Sequence, residues 1–280
     1  MAAFLRVIAA LPLIVFHVAG AVLGWTVWAL SPRFRRITRQ NLQAAGYQDA
    51  RIVRQSVAAA GQGVLELIPV WFRPQQSAAA LMRDEPSRQL IEQARKEGKG
   101  IIFVTPHLGC FEVTAQWYTQ HFGAMTALFS PPKRAFVQRL IAGGREKPHL
   151  KLAPPNLSGI RAMMRALKAG EAVGILPDQV PGRGEGEWAP FFGRPAYTMT
   201  LVQRLAKATG AIMVVAYAER LPFGRGYRGV VELMPEREPG ETASRHLNRA
   251  LEELIRRCPG QYLWSYNRYK VPAGVEPPAS

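Results

Sequence analysis

The chain has 280 residues, 48% of them hydrophobic and 20% charged, a balance that supports a sizeable core and excludes the disordered class. Lys and Arg number 36 against 20 Asp and Glu, a formal net charge of +16, so the surface attracts something negative: nucleic acid, anionic lipid or an acidic protein. Two cysteines, Cys110 and Cys258, exclude a disulfide framework and a Cys-rich zinc module and suit a reducing compartment.

Residues 7–30 contain no Asp, Glu, Lys or Arg, and His17 is their one ionisable side chain. As a single helix this run reaches about 36 Å, against about 30 Å of hydrocarbon. Trp25 and Trp28 stand near its C-terminal end, and Arg33, Arg35, Arg36 and Arg39 come directly after it, against Arg6 alone before it. That asymmetry assigns the C-terminal body to the cytoplasm. The expected organisation is a membrane anchor over 1–32, a folded domain over 33–270 and a flexible tail over 271–280. Three other readings stay open. A cleaved signal peptide has small residues at Val18-Ala19-Gly20-Ala21, but cleavage there leaves an apolar stretch at the new terminus. A buried core helix, or a helix lying in one leaflet, also fits, because Pro12 can kink the segment.

Beyond the basic stretch, 50–71 reads helical and 87–96 reads as a polar helix. An alternation comes next: strand 101–104, helix 111–120, strand 124–129, helix 134–142. Asn156 caps a helix over 157–168, Gly170 stops it, and 172–176 is a buried strand. A helix over 198–209, strands at 211–218 and 230–234 and an amphipathic helix over 242–257 complete the order. Strands interleaved with helices predict an α/β sandwich, αβα, with a largely parallel sheet.

The most informative stretch is Thr105-Pro106-His107-Leu108-Gly109-Cys110-Phe111-Glu112. A buried strand ends, and a His and a carboxylate stand beyond it, five positions apart. On one regular helix those positions diverge by about 140°, so a turn at 107–109, to which Gly109 is suited, is needed to bring the imidazole over Glu112. The pair then supplies the base and orienter of a triad. A His that simply caps the helix explains the same spacing, and Cys110, set among apolar or small residues, reads as an inert core thiol.

The second stretch is Val173-Gly174-Ile175-Leu176-Pro177-Asp178-Gln179. Asp178 and Gln179 stand at the C-terminal end of a predicted strand, the edge where open α/β sheets build sites. Gly182, Gly184 and Gly186 imitate a phosphate fingerprint, but no helix opens on them and no Lys-Ser/Thr comes after them. They predict a mobile loop, with Phe191 and Phe192 as an apolar wall.

Taken in order, the strand leading into His107-x4-Glu112, Gly144-Arg145, the run from Leu167-Lys168 to Pro177-Asp178-Gln179, Phe191-Phe192-Gly193 with Ala196 and Thr198, and the segment from Tyr262 to Lys270 resemble the bacterial lipid A late acyltransferases. These lauroyl and myristoyl transferases lie within the lysophospholipid acyltransferase superfamily, and the likeness runs from Arg39-Gln40-Asn41-Leu42 to Lys270. It implies a glycerol-phosphate-acyltransferase-like fold and transfer of a fatty acyl chain from a thioester to a hydroxyl of a lipid A precursor. It also implies His107 as general base with Glu112 as its orienter, and Arg145, Asp178, Gln179, Gly193 and Thr198 at the substrate site, Gly193 and Thr198 bordering the acyl groove. Acyl carrier protein or acyl-CoA is the implied donor, a membrane glycolipid the acceptor, and the cytoplasmic face of the bacterial inner membrane the location.

The composition agrees, since acyl carrier protein, anionic lipids and phosphorylated acceptors all suit a basic protein. Thioester alcoholysis needs no cofactor, and the sequence carries no nucleotide, flavin or metal motif. One departure stands at Asn267-Arg268, where the family has two basic residues, and it leaves lysophospholipid, ornithine lipid or another glycolipid open as acceptor. A non-catalytic membrane scaffold is the remaining alternative. Dispersed basic residues and the lack of a nucleic-acid motif argue against a nucleic-acid partner.

Overall fold

The structure is a computed structural model and describes residues 2–83, 85–130, 144, 147 and 149–278. Its helices are α1 Ala2–Ala9, α2 Leu13–Leu30, α3 Pro32–Ala44, α4 Ala50–Leu65, α5 Leu67–Phe72, α6 Gln75–Ala79, α7 Glu85–Lys96, α8 Phe111–His121, α9 Leu157–Lys168, α10 Leu201–Thr209 and α11 Ala243–Arg257. Its strands are β1 Met82–Arg83, β2 Ile101–Val104, β3 Met125–Leu128, β4 Leu150–Ala153, β5 Ala172–Ile175, β6 Gly186–Phe191, β7 Arg194–Met199, β8 Ile212–Arg220 and β9 Tyr227–Leu233.

Seven strands form one sheet in the order β1-β9-β8-β2-β5-β3-β4. Every pairing is parallel except β8 with β9. The central strands β2 and β5 are short, apolar and mostly buried, as a sheet covered on both faces requires. Alternation along β2 divides the core. Ile102 and Val104 pack with Met163 and Leu167 of α9 and Leu251 of α11. Ile101 and Phe103 pack on the other face with Val113 and Trp117 of α8 and Ile91 of α7. Helices therefore sandwich a mixed, largely parallel sheet.

Several expectations change. The glycine-rich stretch leads into an antiparallel hairpin of β6 and β7, so Thr198 lies in a strand and the next helix opens at Leu201. Its two-residue turn pairs Phe191 with Arg194, with Phe192 at φ +46 and Gly193 at φ +75, the primed turn that matches strand twist. Phe192 tolerates that backbone because its N–H donates to buried Glu252 (2.9 Å) and its ring packs on Trp264. The expected helix over 50–71 breaks at buried Glu66 into α4 and α5. The basic stretch after residue 31 is itself helical, capped by the Ser31 hydroxyl on the Phe34 N–H. The helix expected over 134–142 lies outside the described residues.

The apolar N-terminal run is two helices broken before Pro12. Among the described residues, α2 is the one helix long and apolar enough by length and composition to cross a membrane.

Candidate active site

β2 and β5 are parallel neighbours in matched register, Val104 opposite Ile175. The Thr105 N–H adds one more bond, to the Ile175 carbonyl (3.0 Å). Pro106 and Pro177 come next on the two strands and, having no N–H, end the ladder. The chain then turns at Gly109, whose φ is +59 and where a Cβ would stand 2.0 Å from the Ala218 carbonyl oxygen; only glycine fits. The Cys110 N–H bonds to that same oxygen (2.8 Å) and α8 begins at Phe111.

This turn sets His107 beside Asp178. Nδ1 lies 2.8 Å from Asp178 Oδ1, and the His107 backbone N–H donates to Oδ2 at 2.9 Å. An ionised carboxylate only accepts, so Nδ1 carries the ring proton and Nε2 presents its lone pair. The Gln179 amide nitrogen sits 3.2 Å from Nε2 and donates to it. Phe111 packs edge-on against the imidazole, with ring centroids 4.9 Å apart. The His107 side chain is 17% exposed and that of Asp178 3%, so the carboxylate is sealed while the imidazole stays partly open to solvent. Burial alone raises the Asp178 pKa, but the charge and two hydrogen bonds of His107, with the charge of Arg268, together hold it below the usual carboxylate range.

The carboxylate at Nδ1 is thus that of Asp178, where the sequence pattern expects Glu112. Glu112 is buried in the first turn of α8, and its Oε2 accepts from the indole N–H of Trp71 on α5 (3.0 Å). Glu112 also helps to wall a small cavity beside Phe111, whose other walls include Phe103, Thr114, Met125, Gly174 and Leu176. Arg145 lies outside the described residues. Gly144 and Lys147 both contact Trp71, the first with space for no Cβ and the second by donating from Nζ to the Trp71 carbonyl (2.8 Å).

The other candidates lie apart from the imidazole. Gly193 is exposed at the hairpin turn. Thr198 is fully buried, its hydroxyl oxygen accepting from Arg268 Nη2 (2.8 Å) and Asn248 Nδ2 (2.9 Å). Arg268 links it indirectly to Asp178, on which its charge acts.

The C-terminal segment contributes a clamp that the sequence motif did not disclose. The Leu263 N–H bonds to the His107 carbonyl (3.0 Å), and the Gly109 N–H to the Gln261 carbonyl (3.1 Å). The Val180 N–H donates to the Tyr266 hydroxyl (3.0 Å). One segment thereby grips both the His107 turn and the Asp178 turn. Cys110 is no rival nucleophile, because burial first, and the charge of Glu66 second, push its thiol well above the ordinary range.

A buried carboxylate on Nδ1 and a lone pair at Nε2 that accepts from the Gln179 amide form a general-base arrangement. The family model for bacterial lipid A biosynthesis acyltransferases matches residues 1–271. The chain is 26% identical over 275 residues to the lipid A biosynthesis lauroyltransferase of Escherichia coli K12, covering 95% of this chain and 89% of the relative. It is 26% identical over 271 residues to the palmitoleoyltransferase of that strain, covering 93% and 87%. With the myristoyltransferase it shares 23% over 196 residues, covering 68% and 60%. The chain belongs to the bacterial lipid A biosynthesis acyltransferase family.

Proposed function

We propose that this acyltransferase moves a fatty acyl chain from acyl carrier protein thioester to a hydroxyl of a lipid A precursor, with His107 as general base. The observation that carries the reading is the partly exposed His107 ring, with Nδ1 on buried Asp178 and Nε2 on the Gln179 side-chain amide. The acceptor hydroxyl displaces the Gln179 amide and gives its proton to Nε2 while its oxygen attacks the thioester carbonyl carbon. The C–S bond then breaks, and the imidazolium returns the proton to the leaving sulfur. Asp178 remains ionised throughout and stabilises the imidazolium.

Glu112 belongs to the same machinery as a buried carboxylate at the wall of a small cavity of about 40 Å³, which takes no more than the tip of the acyl chain. Arg145 binds a phosphate of the donor or of the glycolipid. The largely parallel sandwich is of the glycerol-phosphate-acyltransferase type. The net charge of +16 favours acyl carrier protein as donor, with acyl-CoA the alternative, and anionic lipids as neighbours. The apolar N-terminal helices hold the enzyme at the inner membrane, catalytic domain on the cytoplasmic face.

The test is a mass spectrum of lipid A and total lipids from host cells carrying the wild-type chain or His107→Ala. Loss of one acyl-chain mass from lipid A in the variant supports the reaction and the acceptor. Loss from another lipid transfers the reaction to that acceptor, and unchanged lipids overturn it.

A further inference from the structure

The apolar helix α2 is bound to the body of the protein along its length. Its buried residues Leu13, Phe16, His17, Gly20 and Gly24 form one face. Gly20 and Gly24 meet α4 backbone to backbone: a Cβ on Gly24 would stand 2.1 Å from the Val57 carbonyl oxygen, and one on Gly61 2.0 Å from that of Gly20. His17 Nε2 lies 3.5 Å from Glu66, which is itself paired with Arg220 at the end of β8.

Both flanks of α2 return to that same body. On the N-terminal side, Arg73 donates from Nε to the Ala9 carbonyl and from Nη2 to the Leu11 carbonyl, each at 2.6 Å. Gly224, in the turn between β8 and β9, packs on Ile14 so closely that a Cβ would lie 2.5 Å from its nitrogen. On the C-terminal side, Asn41 of α3 donates from Nδ2 to the carbonyls of Trp264 and Tyr266, each at 2.7 Å. A helix that crosses a bilayer puts about 30 Å of hydrocarbon between its N-terminal and C-terminal flanks. Here the two flanks share one partner.

The opposite face of α2 is apolar and open. Ile14, Val15, Val18, Val22 and Trp25 are exposed, with Val7 of α1 beyond them. The 18-residue helix presents about 27 Å of such surface, and it runs into exposed Arg33, Arg36 and Arg39. An uncharged strip that ends in cations matches the acyl boundary and anionic headgroups of one leaflet.

We infer that α2 binds the bilayer side-on, with the face of Ile14, Val15, Val18, Val22 and Trp25 sunk in the headgroup and acyl boundary of the cytoplasmic leaflet, and does not cross. This rests on the membrane attachment proposed above. Asn41 is bonded to the segment that grips the His107 turn, so the lipid-bound helices and the catalytic turn are tied to one strand of chain.

Two measurements on the full chain test the inference without reference to activity. First, a cysteine is added ahead of Met1 and probed with a membrane-impermeant maleimide in sealed vesicles of each orientation; Cys110 and Cys258 are buried. Side-on binding predicts labelling only when the cytoplasmic side faces out, and labelling from the periplasmic side overturns it. Second, single bimane-labelled cysteines at Ile14, Val18, Val22 and Trp25 are quenched by lipids brominated at known depths. Side-on binding predicts one shallow depth for all four, whereas a gradient from shallow through deep to shallow means a spanning helix and overturns the inference. Equal lack of quenching, with disulfide cross-linking between copies at Val18→Cys, means a second chain covers the strip and also overturns it. Absence of the protein from membranes removes both the inference and the attachment, while leaving the His107 chemistry untouched.

Discussion

His107 and Asp178 meet because they stand three residues beyond an in-register pair, Val104 of β2 and Ile175 of β5. The same proline step on each strand carries the chain to matched positions above the sheet, and the 2.8 Å contact from Nδ1 to Oδ1 is a consequence of that register. A dyad built this way is held by the sheet itself, with the C-terminal segment as its outer brace.

Asp178→Asn retains the size of the side chain and removes the charge that stabilises the imidazolium. The expected result is a fall in kcat of about 10^3–10^4-fold with little change in KM, measured with a thioester donor and a lipid A precursor. Full activity would remove Asp178 from the mechanism. The sign of the pH effect is also fixed. Because its folded pKa is lowered, Asp178 contributes stability that is complete above its unfolded value and is lost as pH falls through the folded one. In the asparagine variant, urea midpoints therefore lose part of their decline at acidic pH.

Glu112→Gln separates two roles for carboxylates at this site. The amide oxygen still accepts from Trp71, while the carboxylate beside the cavity is gone. A drop in kcat/KM with the pH profile of kcat unchanged assigns Glu112 to binding and cavity structure. A displaced profile, like that of Asp178→Asn, returns it to the position of orienter.

The buried pair of Glu66 and Arg220, joined by the Tyr227 hydroxyl (3.0 Å to Glu66 Oε2), is an acid-sensitive element away from the dyad. Burial raises the Glu66 pKa, and the charge and hydrogen bonds of Arg220, with those of His17, outweigh it and bring the value down to about 2. Its contribution is therefore present above the ordinary carboxylate range, near 4.5, and is lost as pH falls toward 2. Glu66→Ala strands the Arg220 guanidinium, and an expected loss of about 3–5 kcal/mol is checked by urea unfolding at neutral pH. A loss below 1 kcal/mol would mean that water reaches Arg220.

Much of the alternation of strands and helices was legible because β2 and β5 are short apolar runs between Gly and Pro and the periodicities of α9 and α11 are regular, whereas β4, four residues interrupted by Lys151, carried no strand signal. The hairpin of β6 and β7 was not, because Pro190 and Pro195 interrupt its strand signal and its glycines read as loop. His107, Asp178 and Gln179 were each visible as residues at strand ends. What sequence could not supply was that β5 lies next to β2, since strand order is set by tertiary packing, so the nearer carboxylate in sequence, Glu112, stood in for the nearer one in space. The clamp at Leu263 and Tyr266 was hidden for the same reason: it acts through backbone groups and a distant phenol.

Chain-length selection offers a test of the cavity. Gly174 of β5 faces Met125 and Ala127 of β3, and a Cβ there would meet Met125 Sδ at 3.5 Å and Ala127 Cβ at 3.9 Å, ordinary contact distances. Gly174→Ala is therefore expected to leave stability nearly unchanged, whereas Gly174→Leu projects a branched side chain into the space beside Phe111. With donors of graded length in competition, the leucine variant should favour chains shorter by two or more carbons. Met125→Ala removes one wall and should favour longer ones. Each methylene gained or lost in such a pocket changes relative kcat/KM by roughly 10-fold or more, enough to appear in the acyl-chain masses of lipid A. If both variants keep the wild-type profile, the chain lies elsewhere, and the hairpin wall at Phe191 and Phe192 becomes the next surface to alter.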